Sequence, residues 1–84
     1  MELEEKIKQV VEITTRISDD PTIPRNVRRA AGEAKAYLQR KDQDIVLRAA
    51  SARMSLESVS DDPNMPVHAR TQIWSALSIL ETIR

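Results

Sequence analysis

The block Ser-Asp-Asp-Pro-x-x-Pro occurs twice in this 84-residue chain, at 18–24 and again 42 residues later at 60–66. Proline lacks the backbone N–H that a helix interior needs, its ring crowds the preceding turn, and it pushes the residue before it toward extended backbone. Pro21 and Pro63 therefore stop a helix at Asp20 and Asp62. Pro24 and Pro66 suit the first position of a new helix, where the missing N–H would be unpaired anyway. Ile23 and Met65 precede them as apolar staples that set the angle at which the chain joins the helix. Each block reads as a tight connection between antiparallel helices, with Asp19, Asp20, Pro21 and Asp61, Asp62, Pro63 as its structural turn.

The repeat extends past the block. Ser18–Leu38 and Ser60–Leu80 share eight of 21 positions, whereas 4–17 and 46–59 match only in apolar pattern. Helical spacing predicts a first helix over Glu2–Ser18 with Leu3, Ile7, Val10, Val11, Thr14 and Ile17 on one stripe. A second helix, Pro24 to about Gln39, turns Val27, Ala30, Ala31, Ala34 and Leu38 inward. After a short turn at Arg40-Lys41-Asp42, a third helix capped by Asp42 or Asp44 runs to about Val59 on Ile45, Ala49, Ala52, Leu56 and Val59. The fourth starts at Pro66 and packs through Ala69, Ile73, Ala76, Leu77, Leu80 and Ile83. Short connections favour antiparallel neighbours. The expected fold is all-α: a four-helix up-and-down bundle of two repeated helical hairpins, units of about 1–41 and 42–84, in one domain over 1–84.

Composition narrows the chemistry. Without cysteine there is no disulfide and no thiolate metal site, and His68 is the only histidine. One glycine leaves no phosphate-cradling loop, and no serine sits in a nucleophile elbow. The expectation is a protein that is not an enzyme and holds no cofactor. No apolar run approaches the roughly 18 residues of a membrane span, so a cytoplasmic protein without membrane contact is expected. Small cores without staples lean on partner chains, which points toward a homo-oligomer.

Three features could carry function. Asp19, Asp20, Asp61 and Asp62 fall at one end of such a bundle, where carboxylates could hold a divalent cation or act in acid–base chemistry. Turn N–H groups and the next helix's N-terminus give them a structural role instead, and the recurrence of Asp before Pro favours it. Charge is segregated although it sums to zero: −3 over 1–20, +5 over 21–41, −3 over 42–62 and +1 over 63–84. Arg25, Arg28, Arg29 and Lys35 form a candidate nucleic-acid stripe on the second helix. The alternative is that they pair with the acidic faces of the flanking helices; zero net charge favours pairing. The fourth helix is apolar beyond its core stripe. Val67, Trp74, Ile79 and Ile83 make a candidate subunit interface, most simply a two-fold dimer. Trp74 aligns with Gly32 across the repeat, which predicts that the glycine makes room for a buried indole, with Arg70 over its ring. An exposed binding hot spot is the rival. His68 aligns with Asn26, each in the first turn of its helix. The leading expectation is a non-catalytic interaction or structural module that self-associates; the alternative is an RNA-binding accessory protein using the second helix.

Two resemblances attach to these residues. Asp20-Pro21 followed by Val27-Arg28-Arg29-Ala30-Ala31 resembles the turn and second helix of a HEAT repeat, which implies stacked units. The second unit departs from it, reading Ala69-Arg70-Thr71-Gln72-Ile73. The chain as a whole resembles a family of short archaeal proteins of unknown function, through its acidic amphipathic first helix, the stretch Asp-Asp-Pro-Thr-Ile-Pro-Arg-Asn-Val-Arg at 19–28 and the second Asp-Asp-Pro. That resemblance implies a four-helix fold and an archaeal cytoplasmic source; it implies no activity and no functional residue.

Overall fold

A computed structural model describes residues 2–84; residue 1, the start of the first repeat unit, lies outside them. Four helices follow one another: α1 Leu3–Ser18, α2 Arg25–Leu38, α3 Ile45–Glu57 and α4 Val67–Glu81. Helix α1 packs on α2, α2 on α3, α3 on α4 and α4 back on α1, so the four close into a ring around one core. A stack of HEAT-like units would set like helices together, α1 on α3 and α2 on α4; here the unlike ones pair, which closes the bundle. The accessible surface, 5048 Å², matches the roughly 5,050 Å² expected for a monomer of this mass. The bundle therefore covers its own core.

The core is built from alanine where helices approach closely and from branched residues between. Ala31, Ala34, Ala49, Ala52, Ala69 and Ala76 are buried to within about a per cent, with Ile17, Leu38, Leu56, Ile73 and Leu80 between them. Ile23 and Met65 are buried beneath their turns as expected. Leu3 is 41% exposed rather than inward, because the buried series of α1 begins only at Ile7. Ile13, outside the expected stripe, is buried.

All three connections share one backbone geometry. After α1, α2 and α3, the N–H groups of Asp20, Arg40 and Asp62 donate to the Ile17, Tyr37 and Val59 carbonyls at 3.1–3.2 Å. Three residues on, the N–H groups of Ile23, Gln43 and Met65 return to the carbonyls of Asp20, Arg40 and Asp62, each at 3.2 Å. The middle connection reproduces the turn without proline. Each following helix starts five residues after the turn residue, with Pro24, Asp44 and Pro66 as extended N-caps. The prolines thus stand one position earlier than expected, since their ψ of 147° and 153° keeps them outside the helix. Asp44 is the cap of α3, accepting the Val46 N–H at 3.0 Å, while Asp42 instead pairs with Arg40 at 2.9 Å.

Candidate functional surfaces

The end of the bundle that carries both Asp-Asp-Pro turns is joined by a reciprocal clasp. Asp20 Oδ1 accepts the Thr22 N–H at 2.9 Å and its hydroxyl at 2.6 Å, closing its own turn. Its other oxygen, Oδ2, lies 3.0 Å from His68 Nε2 in the first turn of α4. The second copy does the converse. Asp62 Oδ1 accepts the Asn64 N–H at 2.8 Å, and its Oδ2 accepts Asn26 Nδ2 at 2.6 Å from the first turn of α2. Each hairpin's turn therefore holds the other hairpin's second helix. These bonds favour the ionised carboxylates. Asp20 is lowered to about 2, first by the Thr22 hydroxyl, then by the Thr22 N–H and His68. Asp62 is lowered by Asn26 and the Asn64 N–H. Asp19 and Asp61 point to solvent. Among the described residues no three acidic or histidine side chains converge as potential metal ligands, and Asp20 and Asp62 are engaged in their own turns.

An arginine locks every connection. It is the fourth residue of α2, α3 and α4 alike. Arg28 Nε donates to the Ile23 carbonyl at 3.0 Å, Arg48 Nη1 to Leu38 at 3.0 Å and Arg70 Nη2 to Asp62 at 3.4 Å. Arg70 thus reaches a carbonyl of its own turn. Arg48 is the buried one, 6% exposed, and its Nη2 also meets Glu4 of α1 at 3.2 Å. It ties three helices at the end away from the clasp. The helical stripe pattern reads Arg48 as polar surface; its signal in the sequence is the common spacing of arginine from each turn.

Helix α2 carries its basic residues outward. The series Arg25, Arg29, Gly32 and Ala36 has helical spacing opposite the buried Val27, Ala31, Ala34 and Leu38. Arg28 and Lys35 flank it, half-buried. Among the described residues the ion pairs within 4.0 Å are Arg40–Asp42, Arg48–Glu4, Arg53–Glu57 and His68–Asp20. Among the described residues none of Arg25, Arg28, Arg29 and Lys35 makes the expected ion pair with α1 or α3: Arg25 and Arg29 face outward, and Arg28 is engaged with the Ile23 carbonyl.

The apolar surplus lies on the second hairpin. Val67 and Trp74, seven residues apart on the outer side of α4, are 78% and 58% exposed. Ile79 is partly buried against the core, and Ile83, expected at an interface, is a core residue at 4%. Helix α3 adds an outer row not anticipated from the sequence: Val46, Leu47 at 51% and Met54 at 69%. The expected packing of Trp74 against Gly32 does not occur. Their helices lie diagonally across the ring, and a Cβ on Gly32 would meet nothing within 4 Å. No cleft indents the described surface, and no described helix is long and apolar enough to cross a membrane.

Comparison with known proteins agrees with this architecture and adds no activity. A UPF0147 protein of Saccharolobus solfataricus is 49% identical over 81 residues, covering 96% of this chain and 91% of the relative. One from Pyrococcus furiosus is 45% identical over 83 residues, covering 98% and 89%. The crystal structure of the unknown-function protein MMP1188 superposes with a TM-score of 0.90 at 44% identity, over 96% of this chain and 92% of that one. A Thermoplasma acidophilum protein from the same uncharacterised family superposes with a TM-score of 0.89 at 32% identity, over 96% and 95%. With the family model matching residues 1–83, the chain belongs to the uncharacterised protein family UPF0147, whose relatives here are archaeal and whose function is unknown.

Proposed function

We propose that the protein is a non-catalytic helical module that self-associates, a second copy covering the outer faces of α3 and α4. The observation that carries this reading is the exposure of Val67 and Trp74, at 78% and 58%, beside Leu47 and Met54 on the adjacent helix. Single exposed apolar residues are ordinary, but a shared face of them marks an interaction surface. The face suits its own copy. A two-fold interface sets a patch against itself, so a charged patch would repel. Between Arg70 and Glu81 the α4 sequence has no formal charge, and its outer polar residues are the small Thr71, Ser75 and Ser78. A standard interface needs roughly 800 Å² per partner, about a sixth of the 5048 Å² surface.

The non-catalytic part rests on chemistry: a smooth surface offers no place to exclude water around a reacting group, and the strongly hydrogen-bonded aspartates are engaged in turns. Cytoplasmic residence belongs to the same proposal, supported by a cysteine-free sequence that suits a reducing compartment. Analytical ultracentrifugation tests self-association. The expected result is a dimer at micromolar concentration that Trp74→Ser converts to a folded monomer. A monomeric parent protein at about 100 µM, a concentration at which even a weak interface of about −5.5 kcal/mol would be half assembled, overturns the reading.

A further inference from the structure

Helix α2 departs from ordinary helix design at three points on one outward ridge. Arg25 and Arg28 occupy its first turn with no acidic residue among them, although cations are disfavoured at the positive end of a helix. Arg25 and Arg29 are like charges four residues apart, a spacing that destabilises an isolated helix. Gly32 sits in the helix interior, where it weakens the helix and, with open space above it, serves no packing need. Arg28 has a structural use, its bond to the Ile23 carbonyl. Arg25, Arg29 and Lys35 have none: they make no side-chain hydrogen bond or ion pair among the described residues. Where several local rules fail together without structural compensation, function is the usual reason.

We propose that this ridge binds the phosphodiester backbone of a nucleic acid. Ten residues separate Arg25 from Lys35, a rise of about 15 Å, long enough for its three cations to meet successive phosphates of one strand. Guanidinium groups match phosphate oxygens in paired hydrogen bonds. Gly32, between Arg29 and Lys35, and Ala36, just past Lys35, leave the ridge low enough for a sugar–phosphate backbone to approach the helix beside the basic side chains. A protein partner would want an apolar centre to bury, and this face has none; phosphate contact requires no such centre. The contacts read charge, not bases, so binding is independent of sequence. The ridge lies on the outer face of α2 and shares no residue with the faces of α3 and α4 proposed for self-association, so this inference stands apart from that reading.

Fluorescence anisotropy with labelled duplex RNA, duplex DNA, single-stranded RNA and a polyglutamate peptide tests it on the full chain. Each phosphate contact on a duplex steepens the salt dependence by about 0.9, so three contacts weaken duplex binding roughly 40-fold between about 50 and 200 mM salt. Arg25→Gln with Arg29→Gln is expected to leave the thermal transition in place and cut that loss to roughly fourfold, the share of one remaining contact. Gly32→Leu, which changes no charge, is expected to weaken binding by obstructing the approach of the backbone. The nucleic-acid arms identify which polymer fits the ridge. Absence of binding to all three at about 50 mM salt, an unchanged salt slope in the double variant, or equal binding to polyglutamate would each overturn the proposal.

Discussion

Gly32→Ala separates two accounts of helix α2 by sign. If the glycine existed to admit the Trp74 indole, an added methyl would overpack that contact at a cost of about 1–3 kcal/mol. In the structure a Cβ at position 32 meets no atom within 4 Å, and the glycine has no positive φ to relieve. What remains is backbone freedom. Alanine restricts the unfolded chain more than glycine does, and in a helix interior it is favoured by about 0.8–1.0 kcal/mol. For a domain of this length, a gain of about 1 kcal/mol raises Tm by about 4–8 °C. Thermal unfolding followed by circular dichroism reads the shift, and urea titration should show a higher midpoint with an unchanged slope, since no surface is added or lost. A lowered Tm would refute the reasoning, because it would mean that the outer face of α2 is already covered.

Two further perturbations probe the ends of the bundle. At the closed end, Arg48→Ala is expected to cost about 2–4 kcal/mol, from the lost charge-assisted bond to the Leu38 carbonyl and the space left by the buried stem. Glu4→Gln should cost below about 1 kcal/mol, since Glu4 is 70% exposed and water screens the pair; equal costs in urea denaturation would show that the ion pair, not the carbonyl bond, holds the three helices. At the clasp, Asp20 is lowered from 3.8 to about 2, so its contribution to stability is complete above pH 4 and is lost as pH falls through about 2. The urea midpoint should drop across that window and drop less in Asp20→Asn; the lowered Asp62 predicts the same direction for Asp62→Asn.

The legibility of the sequence followed the kind of interaction. Helices and turns were plain because proline and period write them locally: Pro21, Pro24, Pro63 and Pro66 mark two connections, and the buried alanines of α2 fall where the 3.6-residue repeat puts them. The middle connection was legible as a short turn at Arg40-Lys41-Asp42, but its likeness to the other two was not, because it forms the same turn without proline. The packing of Trp74 on Gly32 was misread because aligning them assumed that repeat-related positions share an environment, whereas their helices lie diagonally across the ring. The outer row of α3 escaped notice because Val46, Leu47 and Met54 alternate with core residues, so no single apolar stripe stands out. The reciprocity of Asp20–His68 and Asn26–Asp62 depends on which hairpin faces which, and that is tertiary information.

That reciprocity has a consequence for how such a chain could arise. Two hairpins that each grasp the other through the same pair of positions obey the rule of a two-fold dimer, in which one residue contacts a second and the second's copy contacts the first's. A single ancestral hairpin would have carried both halves of the clasp and could have assembled with its twin. Fusion through 39–44 replaces an encounter between molecules with a tethered one, worth an effective concentration in the millimolar range. Once tethered, the copies no longer need to be interchangeable. The clasp constrains only the turns and the first turn of each second helix, so the remaining surfaces of α2 and α4 were free to diverge, one toward charge and the other toward grease.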